Sequence, residues 1–207
     1  MIYVVDHPLI KDKLTRIRRK ECESTKFRNN LGEITQLMIY EATKNFEVKS
    51  ISIETPICET NGFKLTTSIV LVPILRAGLG MVDSVKELIP TAAIGHIGIF
   101  RNEETLEPIE YYFKMPKTTD DGNVIILDPM LATGGSVIAT IKTLKKHNKP
   151  KDIIIISIVA SPEGLKKIQE NYSDVKIYVA AIDERLSENG YIVPGLGDAG
   201  DRIFGTK

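Results

Sequence analysis

Short apolar runs alternating with helical periodicity leave this chain few folds to adopt. The runs Ile69–Leu75, Ala92–Phe100, Val124–Leu127, Ile153–Ala160 and Ile177–Ile182 have strand length and strand composition. Apolar positions at helical spacing fill 79–89, 136–147 and 162–171 between several of them, and also 8–20 and 33–46 near the start. Alternating strands and helices predict an α/β domain, with a mainly parallel sheet flanked by helices on both faces. In such a sheet the loops that follow the strands line one edge, and that edge is where ligands bind.

The chain has 207 residues, enough for one domain over 1–207 with a full core, and no Pro/Gly/Ser linker or internal repeat divides it. Its 27 basic residues balance 27 acidic ones, which gives no support for a dedicated nucleic-acid binder. The start, Met1 to His7, has neither a basic region nor a long apolar run, so no signal peptide is expected. The apolar stretch Ile153–Ile156 is far short of a membrane span. Cys22 and Cys58 are too few for a disulfide framework and lack metal-ligand spacing; they read as free thiols of a cytoplasmic protein.

One segment carries chemistry. Val124–Leu127 reads as a buried strand with Asp128 at its exit; Pro129, Met130 and Leu131 follow, and then the small-residue turn Ala132, Thr133, Gly134, Gly135 and Ser136 opens a helix. The N–H groups of such a turn and the positive end of the new helix suit a phosphate. Asp128 is an anion and suits sugar hydroxyls or a nearby cation instead. Phosphate and sugar in one short segment point to a phosphoribosyl group. The turn is no Walker A loop, since no Gly-Lys-Ser/Thr ends it. A Gly-x-Gly-x-x-Gly spacing does occur at 195–200, but only seven residues follow it, too few for a dinucleotide-binding unit. The bland reading is an ordinary strand–turn–helix with Thr133 or Ser136 capping the helix.

Other candidates fall after the predicted strands. Arg76, beside Gly78 and Gly80, follows the first run and Arg101 follows the second; two arginines with close-approaching glycines suit a second anion such as diphosphate. Residues 102–116 turn from acidic to aromatic at Tyr111, Tyr112 and Phe113, and read as a protruding arm that forms a subunit contact or a lid, or packs on its own domain. Arg16, Arg18, Arg19 and Lys20 form a basic cluster that reads first as a solvated helix face, with an anionic effector or RNA as the alternative. No histidine lies near a motif; His147 reads as complementing a helix end.

Three blocks make the whole chain resemble the uracil phosphoribosyltransferases: Val72 to Gly78, Asp128 to Ser136, and Gly190 to Arg202. The third is the most specific, because relatives acting on other bases lack it. Pro129 stands where most type I phosphoribosyltransferases keep a second acid, as is usual in the uracil group. The resemblance implies the type I fold with a protruding β-arm or hood. It also implies transfer of a 5-phosphoribosyl group from 5-phosphoribosyl 1-diphosphate to N1 of uracil, giving UMP and diphosphate. By that resemblance Arg76 and Arg101 contact the diphosphate, and Asp128 to Ser136 hold the ribose 5-phosphate. Ile192, Gly197, Asp198 and Ala199 hold uracil, and Asp198 also reaches the donor. Mg2+ is the implied cofactor, with no protein residue assigned as its ligand. GTP is an implied effector, and a homodimer or homotetramer the implied assembly. A uracil-responsive RNA-binding regulator on the same fold is the competing class; neutral charge and Pro129 speak against it.

Overall fold

Residues 123–127 bury every side chain because both faces of their strand are covered, and the rest of the fold is arranged around them. The structure, a computed structural model, describes residues 1–101 and 108–206; the side chains of Phe100, Arg101 and Pro108 lie outside that description. In chain order the elements are β1 (Ile2–Val4), α1 (Pro8–Arg18), α2 (Ser24–Ala42), β2 (Val48–Glu54), β3 (Glu59–Leu65), β4 (Ile69–Pro73), α3 (Leu79–Leu88), β5 (Ala93–Ile94), β6 (His96–Arg101), β7 (Pro108–Lys114), β8 (Asn123–Leu127), β9 (Met130–Leu131), α4 (Gly135–His147), β10 (Asp152–Ala160), α5 (Pro162–Asn171), β11 (Lys176–Ile182), β12 (Arg185–Leu186), β13 (Ile192–Val193) and α6 (Ala199–Phe204).

The main sheet has the order β1-β11-β10-β8-β4-β5, with β9 added beside β10, and its pairings are parallel. Successive residues on its strands face opposite layers. Leu71, Ile125, Leu127, Ile154 and Ile156 meet α1, α2 and α3 through Ile10, Phe27, Met38 and Met81. Val70, Val72, Ile126, Ile153 and Ile155 meet α4 and α5 through Ile141, Leu144 and Ile168. The expected α/β sandwich is therefore present, with strands buried on both faces as parallel sheets require.

Two expectations shift in detail. The run Ala92–Phe100 is not one strand of the main sheet. It divides at Gly95, where an added Cβ would run into the Met115 side chain. β5 stays in the sheet, whereas β6 leaves it to pair antiparallel with β7 as a separate two-stranded arm. Arg101 thus ends an arm strand rather than a strand of the main sheet. The helix expected over 33–46 starts at Ser24 and ends at Ala42, because Phe27 and Leu31 extend its buried stripe by two turns.

The arm expected over 102–116 is present as β6 and β7; its connection, 102–107, lies outside the described residues. Its aromatics part company. Phe113 is half-buried with its ring 4.5 Å from that of His147, the last residue of α4. Tyr111 lies across Gly98, where a side chain would meet its ring. The Nε2 of His147 stands 3.5 Å from Oε2 of Glu110, so this histidine ties the arm to the far end of the helix that the small-residue turn opens. A second hairpin, β2–β3, was not expected; Ile57 and Phe63 on it are 93% and 74% exposed.

Among the described residues no helix is long and apolar enough to cross a membrane. Cys22 is half-buried and Cys58 exposed, both as free thiols.

Candidate active site

The loops after β4, β8, β10 and β11 meet at the carboxyl edge of the sheet, and hydrogen bonds lock them together. The Ile74 N–H donates to the Leu127 carbonyl at 2.9 Å, and the Asp128 N–H to the Ile156 carbonyl at 3.1 Å. Gly78 carries the closest crossing: a Cβ there would lie 2.6 Å from the Ile74 nitrogen and on top of the Leu127 oxygen. The loop bearing Arg76 therefore sits against the exit of β8. The Leu75–Arg76 and Val193–Pro194 peptides are cis.

Asp128 stands half-buried at that exit. Burial pushes its carboxyl up to about 7, and only the Met130 N–H, 3.3 Å away, favours the charged form. A carboxyl left this poorly satisfied on the ligand edge is an acceptor in want of donors or of a cation. Pro129 and Leu131 are buried and Met130 half-buried. The Pro129 carbonyl accepts from the N–H groups of Ile158 and Val159. These three residues form a tied spacer between the acid and the turn.

The turn itself is open. Gly134 takes a left-handed φ of 72°, and no side chain caps α4. Thr133 and Ser136 are exposed, and Thr133 Oγ1 accepts weakly from the Gly135 N–H at 3.4 Å. The first N–H groups of a helix have no partners within it, so this 13-residue helix presents donors and a positive dipole end to the edge. The capping role that Thr133 or Ser136 would have under the bland reading is not filled. Behind the turn, Ser161 Oγ donates to the Ala132 carbonyl at 2.6 Å and accepts from the Gly164 N–H at 2.9 Å.

The C-terminal block closes the edge. Arg76 reaches it with Nη2 3.2 Å from Asp201 Oδ1 and Nη1 3.5 Å from Thr206 Oγ1. Its guanidinium lies 3.4 Å from where a Gly200 Cβ would be. Two blocks more than 120 residues apart in sequence are thus in contact. Asp198 is exposed and N-caps α6, accepting from the Asp201 N–H at 2.9 Å. Gly197 has φ 73°, and a Cβ added there would meet only Arg202 Cδ, at 3.7 Å. Ile192 and Ala199 are buried, whereas Gly197 and Asp198 between them are exposed. The Gly-x-Gly-x-x-Gly spacing follows β13, which pairs antiparallel with β12 outside the main sheet, so it does not open the parallel strand–helix–strand unit that binds dinucleotides. The side chain of Arg101 lies outside the described residues.

The sequence reading missed Arg18, Asp183 and Arg202. Arg18 is not on a solvated face: both of its terminal nitrogens bind the Asp183 carboxylate, at 2.9 and 2.5 Å.

A family model described as uracil phosphoribosyltransferase matches residues 4–206. The chain belongs to that family. A uracil phosphoribosyltransferase of Malacoplasma penetrans is 66% identical over 100% of both chains. That of Ureaplasma parvum serovar 3 is 62% identical over 99% of each. A solved structure from Aquifex aeolicus is 41% identical and superposes with a TM-score of 0.92, covering 99% of this chain and 98% of the other. A hypoxanthine phosphoribosyltransferase from Trypanosoma cruzi is only 12% identical and has a TM-score of 0.50 over 79% of this chain and 77% of its own. It shares the type I phosphoribosyltransferase fold.

Proposed function

We propose that the protein transfers the 5-phosphoribosyl group of 5-phosphoribosyl 1-diphosphate to N1 of uracil, giving UMP and diphosphate, on the sheet edge described above. The observation that carries this reading is the uncapped turn Ala132–Ser136, with Thr133 and Ser136 exposed, next to a half-buried carboxyl pushed up to about 7. In this reading the turn takes the 5-phosphate, and Asp128 accepts from the ribose hydroxyls. Arg76 and Arg101 take the diphosphate. Family membership and the full-length relatives support the chemistry.

Loss of diphosphate leaves positive charge on the sugar ring, so the reaction needs charge stabilisation on the leaving group rather than a covalent nucleophile. Arg76 is 57% exposed along its side chain, poised to exchange its weak ion pair with Asp201 for a phosphate. Fixing the sugar at both ends leaves its anomeric carbon beside the base, and positioning of that kind lowers a barrier by about 7–11 kcal/mol. Uracil presents an acceptor, a donor and an acceptor. The backbone of Gly197, Asp198 and Ala199 offers N–H, C=O and N–H in reply, above the apolar floor of Ile192. Asp198 keeps its second carboxylate oxygen for the donor or the departing N1 proton.

Among the described residues no cluster of three or more His, Cys, Asp or Glu could cage a metal ion. Asp128 fits Mg2+ in the other common mode, in which one carboxylate and the substrate's own phosphates share the ion. When bound, Mg2+ supplies charge neutralisation on the diphosphate. GTP activation and a cytoplasmic site of action follow the family resemblance, and assays with and without GTP read the former. A homodimer or homotetramer is supported by the exposed β2–β3 hairpin, since a lone two-stranded hairpin is marginal in water. Sedimentation should give a species two or four times the 23.0 kDa chain mass, and a monomer at micromolar concentration removes this part.

UMP soaked into crystals tests the whole reading: the phosphate should lie at Ala132–Ser136 and the base at 192–199, and UMP elsewhere rejects it. Turnover should strongly prefer uracil to cytosine, whose amine meets an N–H donor and leaves buried groups mismatched; comparable kcat/KM for the two rejects the slot. Arg76→Ala should lower kcat/KM for the donor about 10²-fold. Because an exposed ion pair contributes at most about 1 kcal/mol, Tm should stay nearly unchanged. Unaltered kinetics would remove Arg76 from the site.

A further inference from the structure

Asp183 leaves β11 as Asp128 leaves β8, but its side chain turns inward and the residue is 7% exposed. It receives a forked pair of hydrogen bonds from Arg18 at the end of α1. The same two side chains hold one glycine from both sides. The Gly195 N–H donates to Asp183 Oδ2 at 2.9 Å, and Arg18 Nη1 donates to the Gly195 carbonyl at 2.8 Å. Gly195 has φ 64°, and a Cβ there would collide with the Ile192 carbonyl, so it turns the chain sharply between Ile192 and the 197–199 backbone. Arg202 fixes the next residue, donating from Nη1 to the carbonyls of Leu196 (2.7 Å) and Ile17 (2.5 Å). Asp183 is itself anchored, its N–H donating to the Ala160 carbonyl at 2.8 Å, on the strand whose exit supports the phosphate turn.

Stability alone does not account for this arrangement. Stripping water from both partners of a buried pair offsets most of their attraction, and an apolar pair of similar size is often as stable. What an apolar pair cannot do is hold a peptide unit by its N–H and its C=O at once. We infer that Arg18 and Asp183 are positioning residues for base recognition. They clamp Gly195, and thereby fix where the 197–199 backbone stands relative to the phosphate turn, without touching uracil themselves. The inference rests on the reading of 192–199 as the uracil slot.

Two variants and a control test it, with kcat, both KM values and Tm measured for each. Arg18→Lys keeps the charge but, as a point donor, loses the fork and the simultaneous bond to Gly195. Its KM for uracil should rise on the order of tenfold, while KM for 5-phosphoribosyl 1-diphosphate stays within about twofold. The double variant Arg18→Met/Asp183→Leu removes both charges together but takes these partners from the Gly195 N–H and C=O, so its Tm should fall by several degrees while the fold is kept. It should show the same selective rise, and it decides the matter if Arg18→Lys fails to fold. Wild-type KM for uracil in the double variant, or equal rises in both KM values, overturns the inference. Gly197→Val, in the slot itself, separates the two claims. If it leaves uracil KM unchanged, the slot reading fails. If it raises that KM while the clamp variants do not, only the positioning role fails.

Discussion

Asp128→Asn is expected to give a protein more stable than the wild type at pH 8 and nearly without turnover. The carboxyl rises from 3.8 to about 7 in the fold because burial penalises its charge. Its folded pKa lies above the unfolded one, so between those values the native state holds the extra proton. Stability then falls as pH climbs from about 4 to about 7, with the whole cost present above that window. At ~1.4 kcal/mol per unit the cost is roughly 4 kcal/mol. Asparagine removes the charge yet keeps an oxygen for the Met130 N–H. Its Tm should therefore exceed the wild-type value by roughly 8–16 °C at pH 8, and the gain should vanish near pH 4.

The same substitution places an N–H2 group where the sugar hydroxyls need an acceptor, and kcat/KM for the donor should fall on the order of 10³-fold. In the wild type, donor kcat/KM should decline below about pH 7 as the carboxylate is protonated; the variant lacks that component. A variant less stable than wild type at pH 8, or one with ordinary turnover, removes Asp128 from the site. Under the proposed reading the cost of this buried carboxyl has a functional reason, because ligand hydroxyls or a cation would satisfy a group that the fold alone leaves costly.

What the sequence made legible follows burial. β4, β8, β10 and β11 are apolar on both faces and announce themselves, and with them the exits that carry Arg76 and Asp128. The β2–β3 hairpin escaped because Ile51 and Ile53 alternate with serines over a strand that buries almost nothing, so its pattern refers to something other than the chain's own core. α6 escaped because six residues beginning in Ala-Gly read as loop. Arg18 was misread although a signal existed. Ile10, Leu14 and Ile17 are the buried positions of α1, and Arg18 continues the Ile10–Leu14 stripe at the next i+4 step, where a solvated residue is out of place. An arginine on a buried stripe calls for an acidic partner, and Asp183 at a strand exit was available. Gly164 could not be read at all, because its importance lies in an oxygen more than thirty residues away.

That glycine supplies the other large effect. Gly164→Ala, in the first turn of α5, places a methyl group far inside contact distance of the Ala132 carbonyl oxygen and 2.7 Å from Leu131 Cδ2. The obstructing atom is backbone, so no rotamer relieves the clash: either α5 lifts or the turn Ala132–Ser136, the proposed phosphate site, moves outward by roughly an ångström. Overpacking of this kind costs about 1–3 kcal/mol, and a Tm loss of several degrees should accompany it. The kinetic loss should be the larger, since an ångström of misplacement in a positioning element costs on the order of 10²-fold. It should fall on kcat/KM for the phosphoribosyl donor, with KM for uracil at saturating donor little changed. Ser161→Ala is the matched control. It deletes the bonds to the Ala132 carbonyl and the Gly164 N–H but adds no bulk, and should cost about 1 kcal/mol as a lost cap with a small kinetic effect. Equal kinetics for the two alanine variants would mean that the turn grips its ligand loosely, and wild-type donor kcat/KM in Gly164→Ala would mean that the turn does not grip it at all.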